Sequence, residues 1–349
     1  MSDWKRTVKI ALLQPSKIAP LRSGLMKLNR SKVRILMYHR VTNELGPSDA
    51  PYNAVSLVNF DRQMSCLAND YNVITLDDLV SHFKQNKSLP ENSAIITFDD
   101  GFRDNYLNAF PILKKYNLKA TIYVCSGTVG NGKRLWFDRV SSILNSTHVK
   151  RFRFPSVAGE EFELTGDDFH VHYKIHDMLK NYGPNQMEES IACLAHTLIV
   201  DETDLKENDG SGMLKWDELK EMQENGITIG AHTVTHPILS HLDDKTLEYE
   251  MLECQRALQA NLGRAVRHFS YPNGRPSDYD ERALKLVSEH YDSATTTTPG
   301  LTTEASDIYQ LPRMHVDDEV ELFGGKLELP YLSRSAGSDV SVYQPTRQD

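Results

Sequence analysis

Cysteine is scarce in this chain: four in 349 residues, Cys66, Cys125, Cys193 and Cys254, with no Cys-x-x-Cys spacing. That excludes a disulfide framework or a thiolate zinc site and makes reducing surroundings the expectation. Long apolar runs are missing too. No stretch approaches the roughly 20 residues that span a bilayer, which excludes an integral membrane protein. The apolar piece Ile10-Ala-Leu-Leu13 stops at Gln14-Pro15 and is too short for a secretory signal. The expected location is therefore cytoplasmic, with peripheral contact at a membrane surface left open by a basic N-terminal leader.

Acid is nearly absent from the first 40 residues, which hold ten Lys/Arg against Asp3 alone, a charge of +9. The other 309 residues carry 29 basic and 47 acidic side chains, or −18. An acidic body argues against nucleic acid as a partner. Three readings of the basic leader stand side by side. Interleaved with Trp4, Val8, Ile10, Ile18, Leu21 and Leu25, residues 1–40 could rest on anionic lipid as a peripheral contact. They could be an organellar address, or an arm that packs on its own acidic body. With 40% apolar and 25% charged residues the chain is otherwise that of a soluble globular protein, long enough for one large domain or two ordinary ones.

From residue 33 strand-like and helix-like segments alternate, which predicts a parallel α/β architecture. Val33–Tyr38, Asn72–Leu76, Ala94–Phe98, Ala120–Cys125 and Ile227–Gly230 read as strands. Ser56 reads as the N-cap of a helix carrying Phe60, Met64 and Leu67, and Asp77–Lys84 as a short helix. A helix over Asn105–Tyr116 is expected to bend at Pro111, and helices are expected over Lys215–Asn225 and 246–262, the latter closed by Gly263. Residues 130–212 break the rhythm and read as a mostly helical, irregular insertion. The expected layout is a basic arm over 1–32, a catalytic domain over 33–323 and a polar tail over 324–349 that frays.

Chemistry concentrates in two places. Asp99 and Asp100 end the apolar run Ala94-Ile-Ile-Thr-Phe-Asp-Asp-Gly101, and His232 and His236 stand four apart in Gly230-Ala-His-Thr-Val-Thr-His-Pro237. Alone, Asp-Asp-Gly is as readily a turn. On a helix, His at i and i+4 share a face and can grip one ion. Both motifs follow strand-like runs, so both would reach the C-terminal rim where α/β folds collect reactive groups. One carboxylate and two imidazoles can hold a divalent metal with positions left open. The second carboxylate is then free to take a proton. From spacing alone either Asp could be the ligand.

Thr97-Phe-Asp-Asp-Gly101 and His232-Thr-Val-Thr-His-Pro237, in this order, resemble the first two motifs of the polysaccharide deacetylases, the NodB-homology family also called carbohydrate esterase family four. The resemblance runs from about Val33 to Val316. It implies a distorted (β/α) barrel that removes acetyl groups from N-acetylated sugars. Carried over, Asp99 is the general base, and Asp100, His232 and His236 hold one divalent metal, usually Zn2+. Thr233 and Thr235 shape the turn that presents the histidines. Phe269-Ser-Tyr-Pro-Asn-Gly274 matches the groove-wall motif, putting Tyr271, Pro272, Asn273 and Gly274 at the substrate and the Asn273 N–H at the oxyanion. Two departures stand out. Ser270 occupies the place of an Arg that buttresses the base, and Tyr291–Thr298 fills the place of an Asp-containing stretch. Leu311-Pro-Arg-Met-His-Val316 offers His315 as general acid and Arg313 as the replacement charge beside Asp99.

Other candidates carry plainer alternatives. His39 could reach the same rim or be a structural histidine, and Trp216 could line a sugar subsite or simply pack. His148, His170, His172, His176 and His196 are irregularly spaced and read as solvated surface of the insertion. The partner expected is an N-acetylated glycan. Rival activities are removal of a formyl or O-acetyl group from a sugar, or glycan binding by an inactive relative. A pure binder has no need of a spare base.

Overall fold

Runs of apolar and β-branched residues with both faces covered form parallel strands. The structure, a computed structural model, describes residues 15–43, 45, 54–85, 87–154, 160–166, 168–204 and 212–329. Its main sheet has eight strands: β1 (Arg34–Tyr38), β2 (Asn72–Val73), β3 (Ser93–Phe98), β4 (Thr121–Val124), β5 (Thr228–Ala231), β6 (His268–Ser270), β7 (Ser293–Thr295) and β8 (Met314–His315). They run parallel in the order β7-β6-β5-β4-β3-β1-β8, with β2 beside the start of β3. Leu311, just ahead of β8, bonds through its backbone to Ala294 and Thr296 and so joins the two ends of the curl. The result is a distorted (β/α) barrel.

Period-two alternation sorts the strand residues. Leu36, Tyr38, Ile96, Phe98, Ile122 and Val124 face the surrounding helices in the main core. Ile35, Ile95, Tyr123 and Leu311 fill the barrel floor. Continuing the inward series up β3 gives Ile95, Thr97 and Asp99, so the same alternation that buries the floor aims Asp99 into the barrel mouth.

The floor depends on one glycine. A Cβ at Gly230 would lie 2.7 Å from Tyr123 Cε1 and 3.1 Å from the His268 carbonyl oxygen. The Tyr123 ring also supports the Arg313 guanidinium, 5.7 Å above its centroid. Gly230→Ala is therefore expected to lower unfolding free energy by about 1–3 kcal/mol through overpacking. Denaturant unfolding checks this, and an unchanged midpoint would show that Tyr123 can shift at no cost.

Several elements differ from the sequence expectations. Only Asn72–Val73 pairs as a strand, and Leu76 already opens a helix, Leu76–Gln85. Thr75 and Asp78 exchange reciprocal bonds (Thr75 N–H to Asp78 Oδ2, 2.9 Å; Asp78 N–H to Thr75 Oγ1, 3.1 Å), and this capping box starts the helix early. The irregularity expected at Pro111 is a π turn over Asn105–Ala109, ahead of the helix Phe110–Lys115. The insertion contains an antiparallel pair, Arg151–Arg153 with Glu161–Glu163, besides its helices Trp136–Ser146, Phe169–Leu179 and Pro184–Thr197. Val140, Ile143, Phe154, Ile175, Ile191 and Leu194 give it an apolar core of its own. His148, His170 and His196 are exposed, but His172 and His176 are not solvated. His172 is buried, and His176 packs edge-on against Trp136 and bonds the Phe137 carbonyl oxygen.

Both ends of the described chain are tied down. In the helix Pro15–Leu28, Arg22 pairs with Asp70 at 2.8 Å and Met26 packs against the main core. Residues 1–14 of the leader lie outside the described residues. Of the polar tail expected to fray from about Gly324, residues 324–329 pack into the fold, and residues 330–349 lie outside the described residues. Phe323 and Leu327 are in the core and Glu328 is buried against Arg34. No helix among the described residues is long and apolar enough to cross a membrane.

Candidate active site

The parallel register brings the functional side chains to one rim. Tyr38 lies opposite Phe98, Val124 opposite Ala231, Ser270 opposite Thr295 and Met37 opposite His315. His39, Asp99, His232 and Tyr271 therefore follow strand ends on this rim, while Arg313 precedes β8 and reaches Asp99 through its long side chain. Immediately after β3 the backbone turns through the left-handed region at Asp100 (φ 77°) and Gly101 (φ 83°). A side chain at Gly101 would press on Val124, so glycine there permits the turn that lifts Asp100 beside Asp99.

Asp99 and Asp100 are both buried, yet their surroundings separate them. Asp99 is gripped by a bidentate fork: Arg313 donates to Oδ1 at 2.7 Å and to Oδ2 at 2.6 Å. The guanidinium also donates to the Thr296 carbonyl oxygen (2.8 Å), the Ser270 hydroxyl (2.9 Å) and the Thr97 hydroxyl (3.1 Å). Burial alone would raise the Asp99 carboxyl, but the charge and hydrogen bonds of Arg313 outweigh it. They hold the group well below the usual carboxylate range. Ser270 thus stands where it admits the guanidinium of another strand, and the Tyr291–Thr298 stretch contributes a backbone carbonyl, from Thr296.

Asp100 faces the histidines instead. Its Oδ1 lies 3.4 Å from His232 Nε2 and 3.4 Å from His236 Nε2. One ligand atom from each of the three residues falls within 4.8 Å of the others. His232 and His236 are not on a helix: they flank a tight loop after β5, with left-handed Thr233 (φ 68°) and His236 (φ 63°). Glu250 clamps this loop, accepting from the Val234 and Thr235 N–H groups (2.8 Å each) and the Thr235 hydroxyl (2.7 Å). Thr233 Oγ1 accepts from the His236 N–H at 3.0 Å.

The donor set suits a cation. His232 Nδ1 bonds the Ser270 carbonyl oxygen at 2.7 Å, which fixes the ring with Nε2 toward Asp100. Burial would lower His232, but the hydrogen bond to Asp100 and the charges of both acids raise it, so the site attracts positive charge. His236 is pushed down to about 3, mainly by burial, and so offers a neutral imidazole, the form that ligates metals. Among the described residues no other group of His, Cys, Asp and Glu is placed to hold an ion.

The groove wall stands beside this cluster. Asn273 (φ 56°) and Gly274 (φ 63°) are both left-handed, and Thr297 fastens the turn through its hydroxyl to the Asn273 carbonyl oxygen (2.6 Å). No acceptor among the described residues takes the Asn273 N–H. Pro272 is buried, and Tyr271 stacks on Tyr279 at 4.1 Å with its hydroxyl on the Tyr309 carbonyl oxygen. Across the mouth the His39 and His315 rings are 6.4 Å apart. His315 is pushed down to about 3, chiefly by burial and then by neighbouring positive groups. Trp216, half-buried, packs on the main core above Gly130.

Four participants go unmarked in the sequence. Thr97 lies inside the first motif and Glu250 on an amphipathic helix, neither with a signal of its role. Trp136 and Phe137 come from the insertion: the Trp136 indole donates to the His236 carbonyl oxygen (3.2 Å), and Phe137 meets the His236 ring edge-on at 5.1 Å.

A (β/α) barrel whose rim gathers two acids and two histidines has the architecture of a hydrolase. The family model for polysaccharide deacetylases matches residues 86–291, and the chain belongs to that family. It is similar to a putative polysaccharide deacetylase of Bacillus subtilis, YxkH, at 24% identity over 302 residues, 85% of this chain and 77% of that one. It is also similar to a poly-β-1,6-N-acetyl-D-glucosamine N-deacetylase of Staphylococcus epidermidis, at 24% over 226 residues, 59% and 73% of the two chains. Two solved structures share the fold. The Streptococcus pyogenes deacetylase PplD, in complex with acetate, has a TM-score of 0.55 at 21% identity, covering 83% and 94% of the chains. IcaB from Ammonifex degensii has a TM-score of 0.54 at 17% identity, covering 85% and 97%.

Proposed function

We propose that this polysaccharide deacetylase is metal-dependent and removes N-acetyl groups from N-acetylhexosamine units of a polysaccharide or glycan precursor. The observation that carries the reading is the division between two adjacent acids, Asp99 in the fork of Arg313 and Asp100 against two imidazoles. The named activity of the staphylococcal relative supports an N-acetylglucosamine substrate.

Asp100, His232 and His236 would hold the ion, and the mixed N/O donor set suits Zn2+. Once bound, a divalent cation supplies Lewis-acid polarisation of the amide carbonyl and lowers the pKa of water. Asp99, kept ionised by Arg313, takes the proton of the attacking water. The Asn273 N–H is the donor for the oxygen that gains charge. His315 is neutral at rest, so it acts as a relay: it receives the proton taken up by Asp99 and delivers it to the leaving amine. His39, beside it, is felt by both acids and by His315. Tyr271 and Pro272 form the wall behind the turn.

Stripping the metal with a chelator is expected to abolish acetate release from N-acetylglucosamine oligomers, and about one equivalent of Zn2+ should restore it. Metal content and released acetate are measured on the same samples. Metal-free protein that turns over at the original rate would overturn the metal assignment. Faster release of formate from formamido sugars would reassign the acyl group.

A further inference from the structure

The insertion reaches the histidine loop, and two adjacent aromatic residues make the contact. Trp136 and Phe137 open the helix Trp136–Ser146 near the start of the insertion. The Trp136 indole N–H donates to the His236 carbonyl oxygen at 3.2 Å. The Phe137 ring centroid lies 5.1 Å from that of His236, with the planes at 68°. Phe137 also packs against Phe102, two residues past Asp100, at 6.4 Å between centroids. One side chain of the insertion therefore meets both loops that carry the candidate ligands.

His236 depends on this support more than His232 does. His232 is fixed through Nδ1, on the Ser270 carbonyl oxygen at 2.7 Å. Among the described residues His236 Nδ1 has no hydrogen-bond partner. Metal-ligating histidines are ordinarily oriented by a bond at the second ring nitrogen. His236 is also left-handed (φ 63°) and precedes Pro237, which favours extended backbone at the residue before it. Such a backbone state persists only where the surroundings hold it. The barrel holds the middle of the loop. Glu250 takes the Val234 and Thr235 N–H groups, and the Gly127 N–H donates to the Val234 carbonyl oxygen at 2.9 Å. The His236 carbonyl is held from the insertion.

The brace is itself anchored. Trp136 belongs to the insertion's apolar core with Val140, Ile175 and Ile191. His176 packs against the Trp136 ring at 5.8 Å, and its Nε2 bonds the Phe137 carbonyl oxygen at 3.0 Å. Both aromatic residues are thus locked before they meet His236, as a support for a ligand must be.

We propose that Trp136 and Phe137 are positioning residues for His236, and that through them the insertion sets the affinity of the site for its cation. The inference rests on the reading of Asp100, His232 and His236 as metal ligands.

The test uses full-length protein, stripped of metal and titrated with Zn2+ in competition with a chromophoric chelator. Trp136→Phe keeps a ring and removes the indole donor, whereas Phe137→Ala removes the ring contact with His236. Each is expected to weaken Zn2+ binding by about 10- to 100-fold, the usual cost of losing a support behind a metal ligand. Phe137→Leu, which keeps apolar bulk, should fall between native and Phe137→Ala. Ile191→Val trims the same core away from the brace. It should lower the unfolding midpoint and leave Zn2+ affinity unchanged. With Co2+ bound, the visible spectrum of Trp136→Phe should differ from the native one, and that of Ile191→Val should superimpose on it. Native Zn2+ affinity in either folded brace variant, or equal weakening in Ile191→Val, would overturn the proposal. His232→Ala separates the two readings. If it abolishes Zn2+ binding while the brace variants bind normally, only the brace fails. Native protein that binds no Zn2+, or binding that survives His232→Ala, would sink the metal assignment and the brace with it.

Discussion

Arg313→Met is expected to lower kcat/KM for acetate release at pH 7 by roughly 10²- to 10³-fold, although Arg313 touches no part of the substrate in the proposed reaction. Removing one partner of a buried ion pair costs about 3–5 kcal/mol because the other charge is left without compensation. Here the orphan would be Asp99, which burial alone pushes toward the protonated form. A protonated Asp99 cannot accept a proton from water. In the native protein the Asp99 carboxyl lies below its ordinary value. The stability of the Asp99–Arg313 pair is therefore complete above about pH 4 and is lost only as pH falls through the low folded value. Activity should show no acid limb from Asp99 in the neutral range. In Arg313→Met the Asp99 value rises, so an acid limb moves up toward neutrality and activity recovers at alkaline pH. Asp99→Asn supplies the reference: a loss of about 10³-fold with no recovery at any pH and the metal retained. Arg313→Lys restores charge but not the two-pronged geometry, and should fall between. A pH–rate profile of Arg313→Met that superimposes on the native one, apart from scale, would show that the guanidinium does not tune the base.

That fork shows what a sequence can and cannot carry. Asp99, Asp100, His232 and His236 are legible because each pair is local: a strand run ending in acids, and a strand run ending in a short His loop. The link from Asp99 to Arg313 spans 214 residues, and only the family resemblance points to it. Where a local rule competes with apolar patterning, reading by pattern fails. Asn72–Leu76 looks like one strand, but Thr75 and Asp78 cap a helix within it. His172 and His176 look like surface because their irregular spacing suggests no buried face. The insertion's core at Ile175, Leu179 and Ile191 gives them one. Glu250, Trp136 and Phe137 matter through contacts with residues far along the chain, which no local pattern records.

The largest stability effect is expected at the opposite end of the barrel, at Glu328. Arg34 opens β1 with its side chain fully buried, and Glu328 is equally buried, 2.6 Å from it. The carboxylate also accepts from the Tyr71 hydroxyl (2.7 Å) and from Asn29 Nδ2 (3.1 Å), while Arg34 donates to the carbonyl oxygens of Asn29 and Lys32. One network therefore joins the N-terminal helix, β1 and the last described residues. Glu328→Ala leaves the Arg34 guanidinium in the interior without a counter-charge, at a cost of about 3–5 kcal/mol. Much of that cost is the stranded charge, not the worth of the pair. The double variant Arg34→Met with Glu328→Leu should therefore regain most of the loss, because apolar replacement of a buried ion pair is often close to neutral. Denaturant unfolding of the two single variants and the double variant measures the coupling. A loss under about 1 kcal/mol in Glu328→Ala would show that water reaches Arg34 and that residues 327–329 do not anchor the barrel floor.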